Sequence, residues 1–166
     1  MAEISVQDQG TPVRFSFDEM RRYSGSHSPG GVALGFKLME RAFALLEPQG
    51  VVERREVLFS TAFGGPGVRD ACELVTRAFT DGRYVVDPAL ERPERGETLR
   101  PFAFTVGYRD RTVSLLLRPG FVTDEFALLA QSDYLTADEQ QRFAAMKQAL
   151  ADRLMATDAG EVFDLE

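Results

Sequence analysis

One cysteine, one histidine and the absence of a long apolar run set the first limits on this chain of 166 residues. With Cys72 alone, no intrachain disulfide can form, and a cysteine-rich zinc or iron–sulfur site is excluded. With His27 alone, a protein-only metal site has few nitrogen ligands to draw on. No stretch approaches the roughly 20 apolar residues that a membrane helix needs. The N-terminus has no basic segment leading into an apolar run, so no signal peptide is expected and a cytoplasmic location is. Lysine is scarce as well, standing only at Lys37 and Lys147. Basic residues number 19 against 26 acidic ones, for a net charge of −7. Nucleic-acid affinity rests largely on Lys and Arg contacts to phosphates, so a nucleic-acid partner is not expected. The acidic residues are dispersed and read as a solubilising surface. Arginine, which recognises carboxylate and phosphate through a planar fork, still leaves room for a local anion pocket.

What is present is ordinary for a globular protein: 44% apolar and 27% charged residues. The length fits one domain spanning residues 1–166. Residues 1–11 are polar and are expected to be loose, with a short edge strand over Thr11–Phe15. Ser16 and Glu19 have capping-box spacing for a helix to about Arg22. The run Tyr23–Gly31, YSGSHSPGG, cannot be helix interior. Ser28-Pro29 then makes a helix start, with serine as N-cap and proline in the first turn. Val32, Phe36, Met39, Phe43 and Leu46 form one apolar stripe on that helix. A strand is expected within Val51–Phe63, a helix over Gly67–Phe79 and a short strand at Tyr84–Val86. Alternating residues predict strands at Pro101–Tyr108 and Arg111–Arg118. A short helix follows Thr123. A longer one is capped by Thr136 and Glu139, with Phe143, Met146, Leu150 and Leu154 on its apolar face. This order predicts an α+β fold, with a mostly antiparallel sheet packed against helices.

Two loops could carry chemistry. Ser24–Gly31 offers the hydroxyls of Ser24, Ser26 and Ser28 beside His27, and ends at a helix start where N–H groups favour an anion. The alternative is that these serines only satisfy backbone groups. Gly64–Cys72, GGPGVRDAC, also runs into a helix, but has neither the G-x-x-x-x-G-K-[ST] nor the G-x-G-x-x-G pattern. Arg69 and Asp70 lie in its first turn. Cys72 stands where a thiolate can be stabilised, or is a small core residue.

Together the two loops resemble the formylmethanofuran dehydrogenase E-subunit family. That family has an aromatic residue, then His-Gly-His-x-Cys-Pro-Gly, then a helix; here the run is Tyr23-Ser24-Gly25-Ser26-His27-Ser28-Pro29-Gly30. The family's Gly-Val-Asp-Ala segment is similar to Gly67-Val68-Arg69-Asp70-Ala71, with one residue inserted. Its Ala-Phe-Thr strand is similar to Phe102-Ala103-Phe104-Thr105. The likeness covers about residues 17–118, leaving 123–156 as C-terminal helices. Serines stand at Ser24 and Ser26 where the family has histidine, and at Ser28 where it has cysteine. Serine is a poor substitute for either as a metal ligand, so no resident metal and no cofactor is expected.

The resulting expectation is a pocket at the two loops that takes a small polar or anionic metabolite. His27 and Asp70 are the candidates for moving protons, and Ser24, Ser26, Ser28, Arg69, Cys72 and Arg118 for binding the ligand. Metal-independent catalysis, a non-catalytic accessory or sensor role, and a weak metal site at His27 and Asp70 stay open. A homodimer is a possible assembly.

Overall fold

The computed structural model describes residues 2–166 and has the α+β organisation expected from the sequence. The first departure is at the N-terminus. Instead of a loose segment, β1 (Glu3–Asp8) pairs antiparallel with β2 (Thr11–Ser16). Ile4 and Val6 alternate with exposed neighbours and are buried, which is why a polar-looking segment forms a strand. Gln9 and Gly10 turn the hairpin, both with positive φ (53° and 85°).

Helix α1 (Phe17–Ser24) starts with the expected capping box. The Glu19 N–H donates to Ser16 Oγ at 3.1 Å, and the Ser16 N–H donates to Glu19 Oε1 at 2.9 Å. It runs two residues past Arg22, so Ser24 is its last residue. Helix α2 (Pro29–Leu46) follows, and Ser28 holds the N-cap position, but its side chain makes no capping bond. The predicted strand in Val51–Phe63 is confined to β3 (Val57–Thr61), because Arg54–Glu56 form a single tight helical turn.

Helix α3 (Pro66–Thr76) then crosses to β4 (Tyr84–Val86), which lies parallel to β3. Helix α3 ends three residues before Phe79, where Arg77 adopts left-handed geometry. Two other arginines meet its C-terminal carbonyls. Arg54, itself buried, donates from Nε to Val75 O and from Nη2 to Leu74 O, both at 2.9 Å. Arg83 Nη2 donates to Thr76 O at 2.8 Å. Cations there match the negative end of the helix dipole.

Strands β5 (Ala103–Tyr108) and β6 (Arg111–Leu117) form the expected antiparallel pair. Helices α4 (Asp124–Gln131) and α5 (Ala137–Ala156) follow, the latter with the Thr136–Glu139 capping box. The chain closes with a short α6 (Ala159–Val162) and β7 (Phe163–Leu165), neither of which was expected. Strand β7 pairs with β6 and completes a sheet in the order β4-β3-β5-β6-β7, parallel only between β3 and β4. Phe59, Phe104, Val106, Leu115, Leu117 and Phe163 are buried on one face of this sheet, in a common core with α2, α3 and α5.

Helices α2 and α3 approach closely because both present small residues. A Cβ on Gly35 would lie 2.8 Å from Ala71 Cβ, and one on Gly31 would lie 3.1 Å from Gly67 Cα. A Cβ on Gly67 would meet only backbone: Ser28 O and Val32 N at 2.8 Å and Gly31 C at 2.9 Å. The N-terminal ends of the two helices are therefore pressed together, and both predicted loops end there. Among the described residues no helix is long and apolar enough to cross a membrane.

Candidate functional site

The paired helix starts form one wall of a cavity of about 410 Å³. His27, Ser28, Gly30 and Gly31 come from the first loop and the start of α2; Gly65, Pro66 and Gly67 come from the second loop and the start of α3. Neither Ser28 nor Gly65 caps its helix with a side chain, both helices carry proline in the first turn, and neither first turn holds an acidic residue, because α3 starts at Pro66 and Asp70, expected in its first turn, is its fifth residue. The local field at this wall is accordingly positive.

The other walls are apolar. Phe63 and Phe102 flank the sheet, and their rings stack at 4.4 Å with an interplanar angle of 29°. Phe126 of α4 and Phe143 of α5 meet edge to face at 5.1 Å and 75°. Phe121, Leu117, Leu150 and Leu154 add to this lining, to which Thr98 and Gln131 bring two polar side chains. Helix α4 has no buried residue of its own; its Ala127 and Gln131 also line a second, open hollow beside Arg95 and Pro119. It therefore stands as a thin partition between the cavity and solvent.

Lys147 supplies the fixed charge. It is the one Lys, Arg, Asp or Glu side chain in the cavity lining among the described residues. Its Nζ donates to the carbonyl oxygen of His27 at 2.8 Å and sits 4.6 Å from the Phe143 ring centroid. No carboxylate lies within 4 Å of it among the described residues. Its contacts are thus a neutral carbonyl and a ring face.

Of the expected site residues, His27 and Ser28 are at the cavity. Ser24, Asp70 and Arg69 come together elsewhere. Ser24 Oγ donates to Asp70 Oδ2 at 2.8 Å, and Arg69 Nη2 donates to Asp70 Oδ1 at 3.2 Å. The two loops are thus tied to each other directly, and Asp70 is engaged by these partners and does not line the cavity. Arg69 also lies 4.9 Å from the Phe79 ring centroid. Ser26 is exposed and outside the lining.

Cys72 is fully buried, and burial pushes its thiol up, away from a reactive thiolate. Of the two roles open to it, small core residue is the one the packing supports. Arg118 does not reach the cavity either. Its Nε donates to Asp164 Oδ1 at 2.8 Å, because the unexpected β7 brings a carboxylate beside it. No group of three or more His, Cys, Asp or Glu side chains able to hold a metal occurs among the described residues.

Sequence reasoning missed Lys147 and the aromatic pairs. The signal for Lys147 was available. It stands four residues after Phe143 and three before Leu150, in line with the apolar face of α5. That register places Lys147 beside the apolar face, half-buried in the structure.

No protein-family model matches the chain, and no curated protein matches it.

Proposed function

We propose that this protein binds a small acid with an apolar body, the body in the cavity and the anionic head at its Lys147 rim. The carrying observation is the lone ammonium of Lys147 at the edge of a mostly apolar cavity. An apolar enclosure of a few hundred Å³ with a few convergent polar groups is the usual form of a small-molecule site. The two uncapped helix starts on the same wall favour a negative head for the same electrostatic reason. Relative to the polar metabolite expected from the loops, the lining shifts the ligand towards an amphiphile.

Binding is favoured over acid–base catalysis by the placement of the titratable groups. His27 borders the cavity, whereas Asp70 is held by Ser24 and Arg69 and Cys72 is buried. The likeness of the two loops to the formylmethanofuran dehydrogenase E-subunit family supports a ligand site at this end of the molecule. Its metal chemistry does not carry over, because hydroxyls at Ser24, Ser26 and Ser28 do not fit a resident metal.

The test is calorimetric titration with 3-phenylpropanoate and with the neutral 3-phenylpropanamide. The carboxylate is expected to bind about tenfold or more tightly than the amide. Leu150→Trp and, from the α4 side, Ala127→Phe put bulk into the cavity. Each is expected to weaken the acid at least tenfold while leaving a cooperative thermal transition. Unchanged affinity in both folded variants would place the binding site outside the cavity.

A further inference from the structure

We infer that the apolar body of the ligand is a planar aromatic ring rather than an alkyl chain or a saturated ring. This rests on the cavity being the ligand site, and deepens it to a ligand class. Five of the 13 phenylalanines line this one cavity. They include two pairs from different parts of the fold. Phe63 and Phe102, flanking the sheet, stack at 4.4 Å; Phe126 and Phe143, on α4 and α5, meet edge to face at 5.1 Å.

A benzene ring carries a negative face and a positive edge, so aromatic neighbours attract it beyond the area it buries. The two pairs display a stacked and an edge-to-face geometry. A ring inserted against either pair would extend contacts that pair already makes. A saturated ring of similar size buries comparable area but has no quadrupole, and gains burial alone. Lys147 stands beside the second pair, over the Phe143 ring, which sets the head of the acid about one short linker from the aromatic end.

The experiment compares 3-phenylpropanoate with 3-cyclohexylpropanoate by calorimetry on the full chain. The phenyl acid is expected to bind about three- to tenfold more tightly, the range set by one to two favourable aromatic contacts. Phe63→Leu and Phe126→Leu, made separately, are each expected to weaken the phenyl acid more than the cyclohexyl acid, and so to bring that ratio towards one. Equal affinity, or tighter binding of the cyclohexyl acid, would overturn the ring assignment and leave the cavity standing as the ligand site. Failure of both acids to bind would remove the cavity site and the ring preference together.

Discussion

Gly67→Ala is expected to cost about 3 kcal/mol of folding stability, at the upper end for an overpacked site. The added methyl would lie 2.8 Å from Ser28 O and from Val32 N. Those two atoms form the first hydrogen bond of α2, with Val32 N–H donating to Ser28 O at 3.0 Å. The obstruction is backbone on every near side, so no side chain can rotate out of the way. Alanine's better helix propensity returns at most about 1 kcal/mol and does not offset the clash. For a chain of this size the change corresponds to a fall in Tm of about 6–12 °C. Gly64→Ala is the control. A Cβ there meets only Val86 Cγ1, at 4.0 Å, and its Tm is expected to stay within about 2 °C of the parent. Denaturation by heat and by urea checks both. A Gly67→Ala protein as stable as the parent would mean that α2 and α3 are not locked at their N-terminal ends.

Lys147→Met is expected to weaken 3-phenylpropanoate about 10- to 100-fold, corresponding to about 1.5–3 kcal/mol for a hydrogen bond to a charged group. Methionine keeps an apolar stem of similar length beside Phe143 and removes the ammonium that sits over its ring. The neutral amide is expected to bind the variant and the parent within about twofold. Lys147→Glu should abolish measurable binding of the acid, because it places a like charge at the head position. The ammonium also anchors the His27 carbonyl at 2.8 Å, so some loosening of the Ser24–Gly31 loop accompanies either change. That loosening would affect acid and amide alike, and the ratio of their affinities isolates the charge. A ratio unchanged from the parent would show that the acid's head is held by something other than Lys147.

Much of the fold was legible because local signals agreed with tertiary packing. The capping boxes at Ser16–Glu19 and Thr136–Glu139, the alternation through β5 and β6 and the Pro29 helix start all survive in the structure. The misses have physical causes. In β1 only Ile4 and Val6 point inward, too few to stand out among polar neighbours. Strand β7 is three residues long and exists because β6 offers it an edge. Its Asp164 then claims Arg118, a residue that looked available for a ligand. The family likeness was what set the two glycine-rich loops side by side, and in the structure Ser24 of one donates to Asp70 of the other. It could not say which side of the junction is hollow. That is decided by α4 and α5, whose Phe126, Phe143 and Lys147 close the cavity from about 100 residues further along the chain.

The most direct measurement is a crystal structure of the full chain grown with 3-phenylpropanoate. The carboxylate is expected within hydrogen-bonding distance of Lys147 Nζ, at the rim by His27. The ring is expected inside the cavity, against Phe63 and Phe126. An empty cavity at saturating acid, or an acid seated on Arg69 or Arg118 instead, would contradict the assignment of this cavity as the binding site.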